Sequence, residues 1–291
     1  MKNPFKLILF YLTSFLGIAA QAQISYESSD YASSGDAYFV SELNQIGSPD
    51  ALDLVGEDID WDFSDLSLDS QSENEVKDPT LSIYATTYIA QCVAEGGNIF
   101  LCTAEWATLS SMAISTDMDL NIPAVEVNDA SLFYDKTSSK LEATLVGLTV
   151  DAPGVDIPLP LVISYDPKDV VFEFPLEYGD NFTSNSEFQI DLEALLQLPL
   201  NYTQSQERTT SVDGWGSITT PYQTFSDVIK VSSVLEIEAS AGTTPRWPAL
   251  FQSIDHLRFG QPIKCNHYQA AVMIAVMLCE NGCTLKYRCW L

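Results

Sequence analysis

Histidine is missing from residues 23 to 244, and the 291-residue chain holds only two, His256 and His267. A serine or cysteine nucleophile needs a neighbouring base, most often an imidazole, so triad chemistry has no base in that stretch. No Gly-x-Ser-x-Gly elbow is present either. Positive charge is scarce, with 13 Lys and Arg against 40 Asp and Glu and a formal net charge of −27. Such a surface repels phosphate backbones and anionic membranes, which excludes nucleic acid as a partner. Beyond residue 22 no apolar run approaches the about 20 residues of a membrane-spanning helix. The longest, Ala270–Cys279, is half a span. Cysteine is sparse, and the first is Cys92, so no lipid-modified cysteine is expected near residue 22. The later ones (Cys265, Cys279, Cys283 and Cys289), with His256 and His267, are zinc-ligand types without paired C-x-x-C spacing.

What is present begins with a leader. Lys2 and Lys6 precede an apolar run from Leu7 to Ala20, then Ala20-Gln21-Ala22. That is the three-part layout of a cleavable secretory signal over 1–22. It predicts a secreted or extracytoplasmic protein, periplasmic or at the cell surface. Hydrophobic residues make up 46% of the chain and aromatics 11%, enough for a packed core rather than a disordered tail.

Strand signals dominate residues 23–244. Ile59, Trp61 and Phe63 alternate with Asp58, Asp60 and Asp62, a period of two that puts the aromatics on one face and the acids on the other. Leu81–Gln91 and Ile99–Trp106, rich in Thr, Tyr and Ile, flank Glu95-Gly96-Gly97-Asn98 and read as a β-hairpin. A second hairpin runs Ser131–Asp135, turns at 136–139, and returns over Lys140–Val146 with Leu141, Ala143 and Leu145 on one face. Pro153, Pro158 and Pro160 suggest an edge or loop, and Val170–Phe174 a short strand. Ile190–Leu198 suits one or two helical turns. Asp213-Gly214-Trp215-Gly216 reads as a turn. Ser217–Thr220 and Phe225–Glu238 read as a hairpin around Pro221-Tyr222-Gln223-Thr224, and Phe225–Glu238 is the clearest long strand, with Ile229, Val231, Leu235 and Ile237 opposite Lys230, Ser232, Glu236 and Glu238. Together these predict an all-β fold, an antiparallel β-sandwich-like domain or two packed β subdomains.

The segments WDFSDL (61–66), YDPKDVVFEFPLEYGDNFT (165–183) and DGWGSITTPYQTFSDVIKV (213–231) occur in that order. Over roughly residues 23–240 the chain resembles the β-rich passenger region of secreted Bacteroidota proteins that carry a type IX secretion sorting domain. The sorting domain itself is not visible here. The resemblance implies export by the general secretion machinery and type IX secretion, a β-rich passenger, and no catalytic residues.

Several residues are candidates for chemistry. Asp58, Asp60 and Asp62 have the opening spacing of a calcium loop, but Phe63 and Asp69 stand where that loop needs Gly and Glu. Calcium on this acidic face is the one cofactor the residues suggest. Cys92 and Cys102 flank the Gly96-Gly97 turn and are expected to form a disulfide in an oxidising compartment. Asp213 with Trp215, and Trp61, are residue types that bind sugar; core or turn packing is the more ordinary role of both tryptophans. The reading is a non-catalytic secreted or cell-surface module, the passenger-type region of an exported protein; the residues do not name its ligand, and a glycan or a surface protein is the candidate partner. A carboxylate-dependent glycan hydrolase and a calcium-dependent adhesin are the alternatives.

Composition changes after residue 244. Six basic residues face 38 acidic ones over 23–244; over 245–291 five face two, and both histidines and four of six cysteines lie there. A shifted reading frame would produce such a tail, which would leave the edge beside Phe225–Glu238 exposed. A genuine cysteine-rich tail would cover that edge.

Overall fold

The computed structural model describes residues 23–44, 53–65, 67–116, 118, 125–151, 157–191, 200–243, 267–275 and 284–290. Most of its backbone amides are satisfied in antiparallel ladders, and the chain is an all-β sandwich-like fold carrying one helical hairpin. In chain order the strands are β1 (Ser25–Tyr26), β2 (Ala37–Asn44), β3 (Gly56–Asp62), β4 (Ser67–Lys77), β5 (Met112–Ser115), β6 (Glu126–Lys136), β7 (Lys140–Asp151), β8 (Leu159–Glu173), β9 (Leu176–Glu177), β10 (Asn181–Asp191), β11 (Leu200–Thr219), β12 (Thr224–Thr243), β13 (His267–Ala275) and β14 (Thr284–Trp290). Helices α1 (Ile83–Ala94) and α2 (Ile99–Leu109) stand between β4 and β5.

One hydrogen-bonded path runs β10-β11-β12-β13-β14-β2-β4-β5-β6-β7-β8, with β3 added in parallel beside β11. β4 is the corner. Its residues 67–75 pair with β2, while Val76 and Lys77 at its end pair with β5. The path therefore folds into two layers around a shared core. Ala143, Val146, Leu148 and Val150 of β7 and Leu161 and Ile163 of β8 pack on Phe188, Ile190 and Tyr202 of the other layer. A second cluster brings Leu141 and Phe172 against Val212, Trp215, Ile229 and Val231. The two ends of the path, β8 and β10, run side by side, which makes an open seam instead of a closed barrel.

The segment read as a hairpin over 81–106 is helical. Tyr84, Ala85 and Trp106 face inward, with partly buried Tyr88 against them, and pack over Phe133 and Leu145, and Cys102 is buried as well. Their spacing is helical, and both helices start on side-chain caps. Ser82 Oγ accepts from the Tyr84 amide at 3.1 Å, and Asn98 Oδ1 from the Phe100 amide at 2.9 Å. Gly96-Gly97 joins two helices rather than two strands.

Bulges explain the remaining differences. Of the short strand expected over Val170–Phe174, residues 170–173 are the end of the fifteen-residue β8, which begins at Leu159 and takes Pro160 in its first positions, where a missing N–H is tolerated. Register shifts between Ala143 and Leu145 divide a face expected to be continuous, so Leu145 lies under the helices while Ala143 joins the inter-layer core. Asp213–Gly216 is a doubly bulged part of β11, not a turn. Glycine is required there by close approach: a Cβ on Gly216 would lie 1.9 Å from the Ile59 carbonyl oxygen, and one on Gly214 2.5 Å from that of Gly56. The β6–β7 and β11–β12 hairpins form as expected. Residues 192–199, most of the proposed helical turn after Ile190, lie outside the described residues.

The edge beside Phe225–Glu238 is not exposed. Residues 267–275 pair with Ile229–Ile237, and β14 continues the path to β2 in parallel. The break in composition after residue 244 is thus not a break in backbone pairing. Cys265, Cys279 and Cys283 fall outside the described residues.

Candidate functional site

β3 alternates as its sequence dictates. Trp61 and Phe63 are buried, Ile59 partly so, and Asp58, Asp60 and Asp62 are exposed. The three carboxylates have separate local tasks. Asp60 Oδ1 accepts from Ser217 Oγ at 2.8 Å, fastening β3 to β11. Asp62 Oδ1 accepts from the Ser64 amide at 2.9 Å, and hydrogen bonds from Ser64 hold the Asp62 carboxyl below its ordinary value. Asp58 sits at a positive φ of 53°. Among the described residues no three His, Cys, Asp or Glu side chains gather as a metal-holding group.

Trp61 is fully buried, and its Nε1–H donates to the Leu54 carbonyl at 3.2 Å. The same carbonyl accepts from Lys230 Nζ at 3.1 Å. Lys230, placed by alternation on a water-facing side, is buried because β3 and the residues before it cover that side. Burial pushes its ammonium below the ordinary value, against the pull of Asp213 and Asp53. Asp213 accepts from Ser211 Oγ at 2.8 Å and from Ser232 Oγ. Trp215 is buried with Val212, Ile229 and Val231. Trp61 lies against Gly214 where β3 pairs with β11, and neither indole is presented to solvent.

Cys92 and Cys102 form the expected disulfide, with Cα atoms 5.9 Å apart. It closes the tip of α1–α2. Gly97 is needed because a Cβ there would lie 2.6 Å from Cys102 Sγ.

The strongest electrostatic feature is one that alternation does not reveal. Asp169 on β8 and Arg208 on β11 meet between the layers. Arg208 Nη2 lies 2.8 Å from Asp169 Oδ2, and Nε reaches Oδ1 at 3.0 Å. Gln206 Nε2 donates to Asp169 at 3.0 Å, and Arg208 Nη1 donates to Ser233 Oγ at 3.2 Å. Burial disfavours the guanidinium charge, but the bonds and charge of Asp169, with Tyr134 and Tyr165, outweigh it and hold Arg208 above its ordinary value. The signal was in the sequence: Arg208 is the one arginine between residues 23 and 244. Its satisfied, enclosed geometry is that of a structural link.

A concave, accessible site lies at the seam. At one end the Val170 amide donates to Ser184 Oγ at 2.8 Å, tying β8 to β10. Towards the other end a cleft of about 450 Å³ opens between residues 162–166 and 187–191. Val162 is its partly exposed apolar residue, while Ile163, Phe188 and Ile190 border it from the inter-layer core in which their side chains are buried. Ser164, Asp166, Glu187, Gln189 and Asp191 give it a polar rim without a basic residue. Gln189 Nε2 donates to Glu187 Oε1 at 2.9 Å, which orients that carboxylate. Sequence reasoning missed the cleft because β8 and β10 are the ends of the hydrogen-bonded path and meet only through its folding.

No family model, curated protein or solved structure matches this chain. Its function has to be argued from the site.

Proposed function

We propose that this chain is a non-catalytic, exported β-rich module, the passenger-type part of a secreted or cell-surface protein, and that it binds a hydroxyl-rich ligand of glycan type in the seam between β8 and β10. One observation carries the binding reading: a cleft of about 450 Å³ in which Val162 is surrounded by carboxylate, amide and hydroxyl groups. Ligand sites combine apolar lining with a few placed polar groups. Sugar hydroxyls donate to carboxylates, and the C–H face of a sugar ring packs on apolar side chains. The signal-like residues 1–22, the acidic composition and the Cys92–Cys102 bridge support an oxidising compartment outside the cytoplasm.

The hydrolase reading has one observation in its favour, since Asp166, Glu187 and Asp191 share the cleft. An assay for released reducing sugar over soluble polysaccharides separates the two. Binding without release is the expected result. Release that disappears in Asp166→Asn or Glu187→Gln would replace the binding module with an enzyme. Export is tested separately: mass spectrometry of protein from outside the cytoplasm should find Gln23 at the N-terminus, and retention of Met1–Ala22 there would contradict it.

A further inference from the structure

We propose that the glycan taken by the β8–β10 seam is an amino sugar oligosaccharide whose amines are free and protonated. This rests on the glycan reading of the cleft and says which class of glycan enters it. Alternation turns Val162, Ser164 and Asp166 of β8 and Glu187, Gln189 and Asp191 of β10 outward into the cleft. A carboxylate accepts hydrogen bonds and donates none. Asp166 stands on one wall and Glu187 on the other. Gln189 Nε2 already donates to Glu187 Oε1 at 2.9 Å, which takes one of the few side-chain donors out of use. The side chains of the rim thus offer a ligand mainly acceptors. An ammonium group is their complement, with three N–H donors and no acceptor.

Charge narrows the class further. Of the six basic residues over 23–244, none lines the cleft. Lys168, two residues along β8 from Asp166, lies 3.7 Å from Glu142 instead. No described residue therefore supplies a counter-charge to Asp166 or Glu187, and an ammonium on the ligand does. Its hydrogen bonds to them are charge-assisted, the stronger kind. A uronic acid or a sulfated sugar would add like charge to a chain whose net charge is already −27. An N-acetylated sugar would bring an amide and no charge.

The backbone explains why a sugar is selected and not any amine. β8 and β10 are the two ends of the hydrogen-bonded path. The edge that each turns to the seam carries N–H and C=O groups outside any ladder. Near the β9 end one such amide, that of Val170, is met by Ser184 Oγ. Along the cleft the edge N–H groups suit the hydroxyl oxygens of a sugar, and Val162 suits its C–H face. Asp166 is exposed and Glu187 partly so, so water and salt screen the charge pairs and the preference for an amine is several-fold rather than absolute.

Titration calorimetry of the full protein at mildly acidic pH tests this. The probes are disaccharides of glucosamine and of galactosamine, each with free amines and in the N-acetylated form, a neutral hexose disaccharide, a uronic acid disaccharide, and 1,4-diaminobutane. A free-amine form is expected to bind about three- to tenfold tighter than its N-acetylated partner at low salt, with the gap narrowing at high salt. Asp166→Asn with Glu187→Gln should erase the gap. Glu73→Gln with Glu75→Gln, which removes two exposed carboxylates from β4, should keep it. A gap that both pairs of substitutions reduce equally belongs to the overall charge of the chain and overturns the proposal. So does 1,4-diaminobutane bound as tightly as a free-amine disaccharide. Neutral, N-acetylated or uronic sugars bound as tightly as free-amine ones overturn it and leave the glycan reading in place. Binding of no sugar in any series removes both.

Discussion

Asp169 and Arg208 show what a single pair does in this core. Each alone would be a charge held out of water; together, with Gln206 and Ser233, their hydrogen bonds are met. Losing one partner leaves the other uncompensated, so Asp169→Ala is expected to cost about 3–5 kcal/mol in urea denaturation. Asp169→Leu combined with Arg208→Met should cost far less, because an apolar pair of similar volume leaves no orphaned charge. Equal losses for the single and the double variant would contradict this account. Ser186 poses the opposite problem. Its hydroxyl is buried on β10, and it has no partner, as have Trp106 Nε1 and Trp215 Nε1 among the described residues. Removing an unsatisfied buried hydroxyl removes its desolvation cost, so Ser186→Ala should be neutral or raise stability by up to about 1 kcal/mol. A clear loss in the same titration would mean that the hydroxyl has work to do at the seam.

Among the elements, the helical hairpin depends most on a covalent tie. The Cys92–Cys102 bridge spans a sequence separation of 10, and a loop of that size is worth about 2–3 kcal/mol on the chain-entropy model. Cys92→Ser with Cys102→Ser should lower the stability by about that amount and raise hydrogen exchange at the ends of α1 and α2 while leaving β6–β8 protected. Uniformly raised exchange would show that the hairpin is part of the global folding unit. The hairpin also marks how far the sequence could be read. β3 was legible, because its alternation coincides with burial on one side. So were the β6–β7 and β11–β12 turns and the disulfide. α1 and α2 were not, because Thr, Tyr and Ile favour strands and a Gly-Gly turn serves either kind of hairpin. The contrary signals were Ser82 and Asn98 in capping positions, and the helical spacing of Tyr84, Tyr88, Cys102 and Trp106. β8 and β11 were read in pieces because each bulge moves the following residues to the other face. Trp61 and Trp215 were weighed as sugar-binding types against packing, and both indoles are buried. Asp169–Arg208 and the cleft depend on contacts between layers, which no local period encodes.

At the scale of the molecule, buried tyrosines set a limit on the pH range of the fold. Burial raises the Tyr31 hydroxyl from an ordinary value near 10 to about 12. Tyr26, Tyr84, Tyr134 and Tyr165 are raised as well, again chiefly by burial. A folded value above the unfolded one means that the unfolded chain releases these protons first. The stability is therefore fully present below about pH 10 and is lost as pH rises from there through 12. Ultraviolet absorbance of tyrosinate should rise together with loss of β-sheet circular dichroism in one cooperative step. Tyrosines that ionise well before the sheet signal changes would contradict the burial.

The seam is where the whole fold becomes function in this account, since β8 and β10 meet there through the folding of the path and leave a cleft with an acidic rim. The most direct measurement is amide hydrogen exchange of the protein with and without an oligosaccharide selected from a glycan array. The account predicts added protection concentrated in residues 162–166 and 187–191, and its loss in the Asp166→Asn, Glu187→Gln variant. Protection centred on β3 and residues 213–215 instead, or an array on which nothing is retained, would contradict it.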